Sequence, residues 1–180
     1  MTKPVFPRGI DRSIMIFRQA AFADLPAMMA VISDAQRALQ AQGVDQWQNG
    51  YPNEAALSGD IAAGGAYVLL RGNLLIATMA LLPGPEPTYR VIDGSWLTEG
   101  PYCVIHRLAV HSHFKGAGAA ARMLQEAEAL CRLQCVPSLR VDTHHDNRPM
   151  RRFLKKNGFH ACGDIRLDDG TPRLAFEKVL

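Results

Sequence analysis

Cysteine is scarce and poorly spaced for chemistry: the four residues at 103, 131, 135 and 162 form no Cys-x-x-Cys pair. That spacing excludes a zinc ribbon and a thioredoxin-type motif, and reduced, mostly buried thiols are the expectation. Long apolar runs are also missing. A membrane span needs ~18 apolar residues, and Gly64, Arg71, Pro83 and Gly84 interrupt the best candidate. Residues 1–13 carry Lys3, Arg8, Asp11 and Arg12 and no apolar stretch, so no secretory signal is visible and a cytoplasmic location with no membrane partner is expected. Internal repeats and low-complexity tracts are absent too.

What is present is ordinary in aggregate. A chain of 180 residues, 48% hydrophobic and 21% charged, has the composition of a globular protein and the size of one core. A flexible leader over 1–13 and a single domain over 14–180 are expected. Net charge is +3, but residues 107–156 hold ten Lys/Arg against four Asp/Glu, leaving the other 130 residues at −3. The basic segment calls for an anion. It contains no nucleic-acid reader module, so a small polyphosphate fits better and no nucleic-acid partner is expected.

Local signals order the elements. Ile14 to Gln19 reads as a strand, and Asp24 with Pro26 opens a helix whose Leu25, Met28, Met29, Ile32 and Leu39 share one face before Gly43. Asn53 caps a shorter helix through Leu57 and Ile61. Ala66–Arg71 and Leu74–Leu82 flank Gly72-Asn73, a hairpin connection. Pro83 begins a long loop through Gly100, and loops of that length often hold function. Tyr102–Val110 is a strand, Gly118–Gln134 a helix, and Leu139–Thr143 a second strand parallel to the first, because a helix makes the crossover. Asn147 caps a last helix ending near Gly158, and His160–Leu167 pairs with Arg173–Val179 in a closing hairpin.

The chemistry concentrates where strand turns into helix, at Lys115-Gly116-Ala117-Gly118-Ala119-Ala120. Glycines there let backbone N–H groups approach a diphosphate, and the helix start adds about half a positive charge. A tight turn using glycine only for positive φ is the plain alternative. Gly-x-Gly-x-x-Ala also fits a dinucleotide fingerprint with Asp142 downstream, but the turn follows the fourth strand of a mixed series rather than the first of a parallel one.

The segment resembles the acetyl-coenzyme A motif of the GNAT N-acetyltransferase superfamily, Arg/Gln-x-x-Gly-x-Gly/Ala, with Lys115, Gly118 and Ala120 at the matching positions and Lys replacing Arg or Gln. Ile105-His106-Arg107-Leu108-Ala109-Val110 is similar to that family's central strand, and Asn147 with Lys156-Asn157-Gly158-Phe159 to its late helix and turn. The resemblance covers Ile14 to Leu180. It implies an α/β (α+β) fold: a mixed, mostly antiparallel sheet of six to seven strands, a central splayed parallel pair and about four helices. It also implies acetyl-CoA as co-substrate, with no metal, and transfer to the primary amine of a small molecule or peptide. Homodimers are common among relatives. The amides of Leu108 and Val110 would meet the pantetheine arm, with Ala109 between them also in the cofactor-binding stretch, those of Lys115 to Ala120 the diphosphate, and Asn147 the cofactor.

Direct attack needs a neutral amine, and at pH 7 deprotonating one with a pKa of ~10.4 costs about 4 to 5 kcal/mol. His106 is the first candidate base, His144 beside Asp142 the second, Glu86 and Glu99 the third. Many relatives carry a tyrosine seven residues after the capping Asn to protonate the thiolate. Leu154 stands there, so Tyr89 or Tyr102 substitutes or solvent suffices. Trp47, Tyr51, Tyr89 and Trp96 would frame the acceptor pocket, unless they form satellite clusters under the loops. Two rivals remain: a non-catalytic acyl-coenzyme A sensor of the same fold, and a metal-binding regulator using His111, His113, His144 and His145.

Overall fold

Continuous apolar runs punctuated by Gly, Pro and Asn become the strands of one mixed sheet. The computed structural model describes residues 14–180, so the expected leader lies outside the described residues. In chain order the elements are β1 (Met15–Gln19), α1 (Leu25–Ala41), α2 (Glu54–Ala62), β2 (Ala66–Arg71), β3 (Leu74–Pro83) and β4 (Asp93–Gly94). There follow β5 (Cys103–Val110), α3 (Ala119–Leu133), β6 (Ser138–Thr143), α4 (Arg148–Lys156), β7 (His160–Arg166) and β8 (Pro172–Val179). The sheet runs β1-β2-β3-β5-β6-β8-β7-β4, mostly antiparallel. It has eight strands rather than six or seven, because the two-residue β4 in the long loop adds itself to the edge of β7.

Three apolar clusters hold the layers. On one face Met28, Ile32, Leu57 and Ile61 of α1 and α2 pack on Val68 and Ala109; on the other, Met123, Leu124 and Leu154 of α3 and α4 pack on Leu139 and Phe176. Each of the larger side chains contributes roughly 1.5–3 kcal/mol when fully buried. The third cluster, Tyr89, Val104, Ile165 and Ala175, lies under the loop between β3 and β5.

Asn53 caps α2 by accepting from Ala56 N at 3.0 Å, and Asn147 caps α4 by accepting from Met150 N at 3.2 Å. Asp24 does something else. Its carboxylate accepts from Ala21 N at 2.8 Å and pairs with Arg18 at 2.7 Å, fixing a short 3-10 turn before α1 instead of capping the helix itself.

The feature that matters most for function is where the sheet fails to close. β5 and β6 pair in parallel only at Cys103↔Leu139 and Val104↔Arg140. Beyond those pairs β5 stays with β3 and β6 with β8, so the two central strands part and leave a cleft.

Candidate active site

The cleft opens into a cavity of about 1060 Å³. Leu108, Ala109 and Val110 line it from β5, Lys115, Gly116 and Ala120 from the following turn, and Asn147 from the start of α4. Ala117, Gly118 and Ala119 support that turn without lining the cavity, and Ala119 is buried against the core.

The turn is built for backbone donors. Gly116 and Gly118 have φ of +80° and +83°, a left-handed geometry that disfavours side chains, and a Cβ at either would meet open space. Lys115 N and Ala117 N close the turn onto Ser112 O and Phe114 O at 3.2 and 3.3 Å. The amides of Gly116, Gly118, Ala119 and Ala120 have no partner among the described residues. Four unsatisfied N–H groups at the start of a 15-residue helix fit an anion such as a diphosphate. The turn is also tied down from behind: Asp34 of α1 accepts from Ser112 N at 2.6 Å and from Ser112 Oγ at 3.1 Å. Burial pushes the Asp34 carboxyl up, but those bonds and nearby cations outweigh it and hold the group below its ordinary value.

One face of the opened sheet carries the titratable groups. Side chains two apart on a strand share a face, which aligns Val104 with His106 on β5, Arg140 with Asp142 on β6, and Arg173 with Ala175 on β8; register joins them through Val104↔Arg140 and Asp142↔Ala175. His106 Nε2 lies 3.1 Å from Glu86 Oε2, and both line the cavity. The bond from His106 holds the Glu86 carboxyl below its ordinary value, against burial and with help from Thr88. Asp142 accepts from Tyr89 Oη at 2.7 Å. Burial pushes Asp142 up, that bond opposing, and pushes the Tyr89 phenol well up.

Not every anticipated residue reaches the site. Tyr89 is 2% exposed and sits behind Asp142 rather than on the cavity wall. Trp96 is likewise behind the wall, where it stacks on Arg140, while Trp47 and Tyr51 do line the cavity. His144 turns toward Asp146, whose N–H it accepts at 3.1 Å, and Glu99 is exposed outside the cavity. His111 stacks on His113, and His145 Nε2 lies 2.9 Å from Asp164. Leu154 is fully buried, with Phe153 on the cavity side.

Three contributors escaped sequence reasoning. Arg107 has φ +54° and forms a bulge in β5, where Arg107 and Leu108 stand opposite Met79 alone; it is held by Asp60 at 2.5 and 2.6 Å and by the Tyr51 hydroxyl. Gln46 gathers three donors, Asn147 Nδ2 at 2.9 Å, Thr143 Oγ1 at 3.2 Å and His144 N at 3.3 Å, pinning the end of β6 and the α4 cap to the Trp47 loop. Arg173 lines the cavity from β8, and its signal was available: a cation at the inward phase shared by Ala175 and Glu177.

The fold finds parallels among known proteins. A model of the acetyltransferase (GNAT) family matches residues 31–159. A crystal structure of a GNAT-family acetyltransferase from Streptococcus agalactiae 2603 superposes with a TM-score of 0.84 at 33% identity, covering 96% of this chain and 99% of that one. The uncharacterized N-acetyltransferase YesJ of Bacillus subtilis strain 168 is 26% identical over 165 residues, 89% of this chain and 88% of YesJ. The PaiA N-acetyltransferase of Thermoplasma acidophilum, solved in complex with coenzyme A, shares the fold at 15% identity and a TM-score of 0.68, covering 93% of this chain and 99% of that one.

Proposed function

The chain belongs to the acetyltransferase (GNAT) family and is an acetyltransferase; from that premise we propose that it moves the acetyl group of acetyl-CoA to a primary amine by direct attack. The observation that carries the donor half of this reading is the set of unpartnered amides of Gly116, Gly118, Ala119 and Ala120 beside the parted strands, a fit to a diphosphate followed by an extended arm. Acetyl-CoA supplies the activated acyl group as a thioester. Lys115 adds a cation at the phosphate end, and the backbone of Leu108 and Val110, turned away from β3, offers its free groups along the cleft.

Ammonium must lose a proton before it attacks, a step worth about 4 to 5 kcal/mol at pH 7. His106 and Glu86 are the pair on the cavity wall suited to take it. A neutral imidazole donating from Nε2 to Glu86 keeps Nδ1 as acceptor, and the carboxylate stabilises the imidazolium that results. Asn147 holds the cleft's far side, its amide on Gln46 and its carbonyl on the α4 cap. Leu154 is buried at the position where relatives place tyrosine, so we assign thiolate protonation to solvent; a thiol with pKa of about 8.5 is a tolerable leaving group.

The test couples calorimetry with coenzyme A to thiol release from acetyl-CoA across an amine panel. Binding and amine-dependent thiol are expected. His106→Ala should lower turnover by ~100-fold and leave coenzyme A affinity unchanged. Turnover equal to that of the parent protein at every pH would remove His106 from the mechanism.

A further inference from the structure

The cavity wall holds a guanidinium that the chain itself does not neutralise. Arg173 is 7% exposed, yet the only hydrogen bond of its guanidinium among the described residues is from Nη1 to the carbonyl of its own neighbour Pro172 at 3.1 Å. The other two arginines that line or back this site are both ion-paired: Arg107 with Asp60 at 2.5 Å and Arg140 with Glu177 at 3.1 Å. Among the described residues no carboxylate stands at salt-bridge distance from Arg173. Its charge acts on Asp142 and Asp169 only from farther away. Each of those carboxylates is already engaged, Asp142 by Tyr89 Oη at 2.7 Å and Asp169 by Thr171 N at 2.9 Å.

A cation left with free donors in so enclosed a position is costly unless a ligand completes it. A planar guanidinium presents a fork that matches a carboxylate in two parallel bonds. Register puts Arg173 on the same sheet face as His106 and Asp142, and His106 holds Glu86 at 3.1 Å, so the base pair and the lone cation belong to one cluster. The wall therefore offers carboxylates and an imidazole for an ammonium, and a guanidinium for a group of opposite charge.

We propose that the acceptor is a small amino acid-like molecule whose carboxylate binds Arg173 while its amine meets His106 and Glu86. This assignment rests on the N-acetyltransferase reading above and narrows its acceptor. Polyamines and simple monoamines lack the anion that Arg173 requires. A site built for a charged group rejects analogues lacking that group far more strongly than a hydrophobic pocket rejects a missing methylene.

The experiment measures kcat/KM by thiol release from acetyl-CoA with α- and ω-amino acids, each beside its carboxamide, and with spermidine. At least one acid is expected to exceed its carboxamide by ~100-fold or more, with the difference mainly in KM. Arg173→Met should remove that preference by weakening the acid ~100-fold and leaving the carboxamide nearly unchanged, and Arg173→Lys should retain part of it. A purely structural arginine would depress both substrates alike. Coenzyme A affinity by calorimetry reports whether each variant is folded; should Arg173→Met fail there, the acid-to-carboxamide ratios of the parent protein and Arg173→Lys decide. Equal use of acids and carboxamides, a preference for spermidine, or no acid turned over while coenzyme A binds would each overturn the assignment, and in the first two cases the transferase reading stands. Absence of both coenzyme A binding and thiol release would remove that reading and the acceptor with it.

Discussion

Asp142 sits in a position that costs stability in order to shape the wall beside His106. Burial raises its carboxyl above the ordinary value, so the folded state binds this proton more tightly than the unfolded chain does. The sign follows: the contribution of a raised group is fully present below the ordinary carboxylate range and is lost as pH rises through the folded value. At neutral pH the enzyme bears that loss. Asn at 142 can still accept from Tyr89 Oη and carries no charge to bury, so Asp142→Asn should melt at higher temperature than the parent protein at pH ~7, with the gap closing toward pH ~4. A lower melting temperature at neutral pH would mean that Asp142 is held by charge it receives from His106 and Arg173 rather than strained by burial.

At the level of elements, the strand-to-helix turn after β5 is the part whose geometry cannot be supplied by another residue. A side chain at Gly116 would need left-handed backbone, which costs ~1–2 kcal/mol for a non-glycine residue, and its Cβ would stand in open space on the cavity side. Gly116→Val should therefore weaken coenzyme A by at least about tenfold, while the backbone strain lowers the melting temperature by only a few degrees, about 2–4 °C per kcal/mol, and leaves the protein folded. Unaltered calorimetric binding would contradict the phosphate role of the turn. This element was legible in the sequence because glycine spacing, a helix start and a preceding apolar strand leave local marks, as do the Asn53 and Asn147 caps and the Gly72-Asn73 hairpin. The bulge at Arg107 left none, since its left-handed φ sits on a residue with no preference for it and is held by Asp60, 47 positions away. Asp24 misled for the reverse reason: a competent cap residue found a better partner in Arg18 and a turn of its own. Burial of Tyr89 was equally invisible, because the bond to Asp142 joins elements 53 residues apart.

Across the whole molecule, the long loop between β3 and β5 must be held down for Glu86 to meet His106, and one buried carboxylate does much of this. Glu177 of β8 is fully enclosed and accepts from Leu97 N at 2.5 Å, Thr98 Oγ1 at 2.6 Å, Arg140 Nε at 3.1 Å and the hydroxyl of Ser138. Arg140 in turn donates to Thr98 O at 2.5 Å and lies between the rings of Trp96 and Tyr102, 4.1 and 3.9 Å from their centroids. Loop, β6 and β8 thus share one charged knot. Burial pushes the Glu177 carboxyl up, but its donors and Arg140 outweigh that and hold it below the ordinary value. A depressed carboxyl stabilises above its unfolded pKa and loses that contribution as pH falls through its folded one, so Glu177 and Asp34 both weaken the fold in acid. Removing one partner of such a pair strands the other: Glu177→Ala should lose about 3–5 kcal/mol in denaturant unfolding at neutral pH and show a flatter decline toward acid than the parent protein. It should also slow acetyl transfer more than it weakens coenzyme A, because the freed loop carries Glu86 whereas the phosphate turn is anchored separately by Asp34. A stability loss with unaltered transfer would show that the loop keeps Glu86 in place without the knot.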